Sequence, residues 1–224
     1  MKKRLLYICL LFFSLAAFAG DWSYQLGLGT GTPFMNPSVE WLSGSGKEKL
    51  SSTCFGWDTS IDFRPVKESN GLSLLFSYGA GYLNSKMKAS QDTSFPDFSG
   101  MLNSVRLGAG KRLVDDERFG FTLNGILGFV WSVQTGTSSY TEFKRKSTLV
   151  NFSCMLGAEA YATYKLDSKW SIFLSATGLL NLGGTTTLKN KFLFASRNVS
   201  SKVDGSPKFG TFAVFPRLGV CYTF

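Results

Sequence analysis

The chain has 224 residues, a formal net charge of +9, 15% aromatic and 17% charged residues, 24 glycines and no histidine. Few charges and many aromatics exclude a disordered chain, and the missing histidine removes the commonest general base and metal ligand. Cysteines stand at 9, 54, 154 and 221 with no Cys-x-x-Cys pair, and three of them follow position 19, so a disulfide framework is not expected. Nothing in the composition calls for a cofactor, a metal or a nucleic-acid partner.

Met1-Lys2-Lys3-Arg4, the apolar run Leu5 to Leu15 and Ala17-Phe18-Ala19 have the order of a cleaved secretory signal. The run is too short for a spanning helix, which needs about 20 residues. Residues 1–19 are therefore expected to be a signal peptide and 20–224 one exported domain. Cys9 lies inside the apolar run rather than at a cleavage point, so lipid anchoring is not expected.

From Trp22 onward apolar residues recur with period two, the signature of strands. Trp22, Tyr24, Leu26 and Leu28 alternate with Ser23, Gln25, Gly27 and Gly29. Further strands are predicted at 54–63, 72–82, 101–113, 119–134, 150–164, 170–182 and 212–224. The fifth is clearest, with Phe119, Phe121, Leu123, Leu127, Phe129, Trp131 and Val133 on one face, and Thr122, Asn124, Ser132 and Gln134 on the other. A soluble sandwich would carry Lys, Asp and Glu on its second face; here that face is mostly Gly, Ser, Thr and Asn. Short connections (65–70, 115–118, 167–168) alternate with long ones (31–50, 85–97, 135–147, 184–208). Together these predict an all-β fold: an eight-stranded antiparallel up-and-down transmembrane β-barrel, with short turns and both termini at one end and long loops at the other. Aromatics cluster at both ends of the apolar rows, as interfacial girdles do.

The signal peptide, the eight-strand meander and the closing run Leu218-Gly219-Val220-Cys221-Tyr222-Thr223-Phe224 resemble the small eight-stranded outer-membrane barrels of the OmpA, OmpX and OmpW type. That resemblance covers the mature chain and implies an outer-membrane location, with periplasmic termini and extracellular long loops. It also implies that Tyr222 and Phe224 act as a signal to the barrel-assembly machinery. Barrel enzymes of similar scaffold depend on a histidine, so no enzyme is expected and no catalytic residue is assigned. Gly27-Leu28-Gly29-Thr30-Gly31 and Gly44-Ser45-Gly46-Lys47 lack the spacing of phosphate-binding loops and read as strand and loop glycines.

Three groups of residues are candidates for function. Asp58, Arg106, Glu159 and Arg217 point inward, six to eight residues from the short-turn ends of their strands, with Asp62 and Arg112 as a lower tier. They read as a charge network that either plugs or gates the lumen. Leu83, Leu102, Val130, Met155, Leu179 and Phe215 form an apolar upper lumen, either a vestibule or ordinary side-chain filling. The net charge of +6 left after residue 4 equals that of the last two long loops. There Lys144, Arg145, Lys146, Lys189, Lys191, Arg197, Lys202 and Lys208 suit outer-membrane lipids, lipopolysaccharide-like or other anionic surface ligands. The leading expectation is a narrow gated pathway for small, hydrophobic molecules, as the OmpW resemblance implies. The alternative is a closed structural or surface-interaction barrel with basic loops.

Overall fold

The computed structural model describes residues 21–36, 38–43, 46–89, 96–140, 143–194, 198–207 and 211–224. The segment 1–19, read as a signal peptide, lies outside them, as do Cys9, Arg197 and Lys208. Eleven strands follow in order: β1 Trp22–Gly31, β2 Phe34–Met35, β3 Ser38–Ser43, β4 Gly46–Lys67, β5 Leu72–Ala89, β6 Phe98–Asp115, β7 Phe119–Ser139, β8 Phe143–Lys165, β9 Trp170–Phe194, β10 Asn198–Pro207 and β11 Phe212–Thr223.

Eight of them, β1, β4 to β9 and β11, pair antiparallel in a closed ring. β1 pairs with β4 on one side and β11 on the other, for example Leu28↔Ile61 and Leu28↔Val220. The ring closes at the chain terminus, where the Phe224 N–H donates to the Tyr24 carbonyl at 2.9 Å. Closure removes every sheet edge at this level, so each backbone polar group finds a partner without water.

Face assignment follows the period-two pattern. Outward rows carry exposed apolar side chains such as Leu28, Phe55, Met101, Leu156, Leu174 and Leu218, and inward rows are buried. Aromatic pairs ring the short-turn end: Tyr24 stacks on Phe63 at 6.0 Å, and Tyr222 lies edge-on to Trp170 and Phe224 at 5.0 and 5.1 Å. The short turns are locally specified. Gly71, at φ 70°, lets the chain reverse between β4 and β5. Asp167 Oδ1 accepts the Lys169 and Trp170 N–H groups, both at 2.7 Å, to start β9.

The long-loop end is more regular than the predicted long connections; among them only Thr186 to Phe194, whose alternation predicts a hairpin extending the last two strands, anticipates this. Much of the predicted loop is strand: β7 and β8 pair up to Ser139↔Lys144, β9 and β10 form a hairpin, β3 pairs with β4, and β10 touches β3 at Ser206↔Glu40. The barrel wall thus continues past the apolar band. One irregularity matters there. β8 and β9 shift register between Cys154 and Met155, leaving Leu182 as the extra residue on β9. A bulge reverses the facing of everything beyond it, so Lys189 and Lys191 are exposed while Leu188 is buried.

Candidate functional site

The lumen is crossed by a charged tier of six side chains from four strands: Asp58, Asp62 and Arg64 on β4, Arg106 on β6, Glu159 on β8 and Arg217 on β11, each 2% exposed or less. Three acids face three bases, so the tier is formally neutral. This is the arrangement that makes buried charges tolerable, because an unpaired ion in the interior costs several kcal/mol.

Arg64 is the central strut. β4 and β8 stand opposite each other in the ring, and Arg64 reaches across to donate from Nη1 and Nη2 to the two oxygens of Glu159, both at 2.8 Å. Its guanidinium lies 3.7 Å from the Tyr161 ring centroid and 3.4 Å from Asp62. Arg106 approaches the other Asp62 oxygen at 3.4 Å, donates to Thr177 Oγ1 at 3.1 Å and contacts the Ser77 hydroxyl. Asn124 Nδ2 donates to Glu159 at 3.1 Å. Asp58 and Arg217 make a separate pair through Arg217 Nε, 3.0 Å from Asp58 Oδ2, and a second contact through Nη2. Both are in register with Gly31, which passes between them on β1.

The expected pairings are therefore partly rearranged. Asp58, Arg106, Glu159 and Arg217 are all buried in the lumen, but Asp62 belongs to the main network rather than to a lower tier with Arg112. Arg112 lies at the short-turn mouth, paired with Glu68 and, at 2.9 Å, with Asp115. The registers explain the difference: Asp62, Ser77 and Arg106 lie on one hydrogen-bonded row, and rows slant around a tilted barrel. Arg64 falls just beyond the predicted strand 54–63, beside the turn predicted from Pro65, and so is absent from the predicted network. Its parity with Asp58 and Asp62 was the available signal.

All six expected apolar residues, Leu83, Leu102, Val130, Met155, Leu179 and Phe215, are 3% exposed or less and join one cluster with Met35, Cys54, Leu75, Ile126 and Ala213. They form a packed layer, not the wall of an open vestibule. Glycines on neighbouring strands accommodate them: Leu83 lies between Gly56 and Gly100, and Met155 faces Gly128. Toward the short turns, Phe173 packs on Tyr161 at 5.2 Å over a bed of glycines. A Cβ on Gly29 would sit 2.7 Å from the Phe173 ring. Below it a cavity of about 490 Å³ opens at the mouth, lined by Gln25, Glu68, Arg112, Thr122, Tyr161 and Lys165 among others.

The basic residues lie on the strand extensions. Lys144, Lys146, Lys189, Lys191 and Lys202 are exposed, and Arg145 is half-buried. Lys146 is directly opposite Lys191, and Lys189 directly opposite Lys202. Asp204 accepts from Lys202 at 2.8 Å and from Thr187 at 2.6 Å. These two hydrogen bonds, Lys202 first, hold its carboxyl below the usual carboxylate range.

No family model and no curated protein sequence matches the chain. Solved structures do match. The outer membrane protease OmpT from Escherichia coli shares 11% identity and a TM-score of 0.43, over 90% of this chain and 97% of that one. An outer membrane channel from Pseudomonas putida F1 shares 12% identity and a TM-score of 0.27, over 90% and 96%. The transport unit of the autotransporter AIDA-I from Escherichia coli shares 14% identity and a TM-score of 0.27, over 94% and 92%. The fold is that of the outer-membrane β-barrels, without the OmpA, OmpX or OmpW subtype being singled out. The expectation that the chain is not an enzyme is corrected here: a protease stands among the similar structures, so the architecture gives no ground for setting catalysis aside. The likeness is one of fold and assigns no activity.

Proposed function

We propose that the chain is an outer-membrane barrel closed to permeation, acting at its extended end by binding an anionic surface ligand through basic strand extensions. One observation carries this reading: the neutral charged tier and the packed apolar layer are both buried across the lumen, while Lys144, Lys146, Lys189, Lys191 and Lys202 are exposed on the strand extensions. In this orientation the short turns and termini are periplasmic and the extensions extracellular. Tyr222 and Phe224, at the end of the closing strand, serve as the assembly signal.

In liposomes the protein is expected to pass neither sugars nor small apolar dyes above the protein-free background. It should be retained by anionic vesicles in a salt-sensitive way, and lose that retention when Lys144, Arg145, Lys189 and Lys191 are neutralised. Retention unchanged by neutralisation would refute the surface role.

A second reading, an OmpW-like gated pathway for small hydrophobic molecules, is favoured by the apolar layer Leu83, Leu102, Val130, Met155, Leu179 and Phe215. It requires that layer and the Arg64–Glu159 strut to move. It predicts apolar-dye flux in wild type that rises in Arg106→Ala, and no flux in either would end it.

A further inference from the structure

The outer wall of β8, β9 and β10 changes character in a fixed order with height. On β8 the outward row runs Leu156, Cys154, Phe152, Val150, Thr148, Lys146; on β9 it runs Leu180, Leu182, Gly183, Thr185, Thr187, Lys189, Lys191. Apolar side chains give way to threonine and then to lysine. The lysines lie on the membrane-facing side of the wall, not over the lumen, because the bulge at Leu182 reverses the facing of β9 beyond it.

At that height Lys146 opposes Lys191 and Lys189 opposes Lys202 across adjacent strands. Directly opposed like charges destabilise a sheet, and Asp204, 2.8 Å from Lys202 and within electrostatic reach of Lys189, offsets one of the four positive charges. The four lysines, with Thr148 and Ser200, line a concavity of about 430 Å³ on this wall. Val150 and Lys146 are four residues apart, which at about 3.3 Å per residue on a tilted strand puts the ammonium groups on the order of 10 Å above the apolar rows. That is the level of the charged headgroups of a surrounding leaflet.

We infer that Lys146, Lys189, Lys191 and Lys202 form a lateral site for the phosphorylated headgroup of an outer-leaflet lipid whose acyl chains lie along the Val150, Phe152, Leu180 and Leu182 rows. The inference rests on the anionic-ligand reading above and names the ligand class and its place. Two phosphates set among four ammonium groups would relieve the opposed charges, and the threonine step would meet the headgroup sugar.

The test uses the full barrel in phosphatidylcholine nanodiscs, scored for retention of lipid A, of enzymatically dephosphorylated lipid A and of soluble polyphosphate. Wild type should retain lipid A over its dephosphorylated form, and polyphosphate should compete weakly. Each lysine near a charged surface contributes about five-fold in affinity, so Lys189→Gln with Lys191→Gln should weaken retention roughly 25-fold by the same reasoning. Lys86→Gln, outward on β5 away from the patch, should leave it unchanged. Equal retention of both lipids, or none lost in the double variant, overturns the lateral lipid site. If polyphosphate binding falls in the double variant while lipid preference is absent, only the lipid assignment fails. If no anion is retained by wild type, the anionic-ligand reading fails with it.

Discussion

Replacing Arg64 with methionine removes the strut that crosses the lumen. Glu159 loses both of its 2.8 Å hydrogen bonds from Arg64, and Asp62 loses its contact at 3.4 Å. Two buried carboxylates are left with Arg106 between them, and the tier changes from neutral to a net charge of −1. Breaking a buried pair from one side costs about 3–5 kcal/mol. The double change Arg64→Met with Glu159→Met restores neutrality with apolar volume and should return to within about 1 kcal/mol of wild type. Arg112→Met supplies the contrast: its partners Glu68 and Asp115 are 45% and 34% exposed, so its loss should cost about 0–1 kcal/mol. Guanidinium unfolding in lipid vesicles, followed by the fluorescence of the five tryptophans, measures all three. A loss below about 1 kcal/mol for Arg64→Met, or a double variant as unstable as the sum of its singles, would refute the buried-strut reasoning.

Phe215→Ala should cost about 3–5 kcal/mol by the same titration, because Phe215 is fully buried in the apolar layer; Phe215→Leu should cost much less. Gly29→Val should lose about 1–3 kcal/mol as the new side chain displaces the Phe173 ring, and most of that loss should vanish in a Phe173→Ala background. Asp167 has its carboxyl held below the usual range by the Trp170 and Lys169 N–H groups. A depressed folded-state pKa gives stability that is present above the unfolded value of about 3.9 and lost as pH falls through the folded value. Melting temperatures of wild type and Asp167→Ala should therefore converge below about pH 4 and separate above it.

Period-two alternation made the eight barrel strands and their facing legible, because lipid on one side and a narrow lumen on the other enforce opposite chemistry on successive residues. Where both faces are polar, that contrast is gone. β3 and the upper ends of β7 and β8 therefore fall inside predicted long connections, whereas Thr186 to Phe194 keeps its alternation and predicts the hairpin that β9 and β10 form. The parity of the six apolar lumen residues is legible in the sequence, but their packing into a closed layer depends on which glycines face them across the sheet. That is a matter of register, which single-strand patterns do not carry. The same blindness to register assigned Arg112 to Asp62 when its partners were Glu68 and Asp115.

The Asp58–Arg217 pair joins residues 159 positions apart, on the strands that flank β1 from either side. Neither partner can reach the other until the first and last strands have zipped together. During assembly, then, a carboxylate and a guanidinium stay separate until the final seam shuts, and their union is a latch thrown from inside the finished cylinder. A barrel stalled one strand short would keep both groups wet and hold its seam ajar.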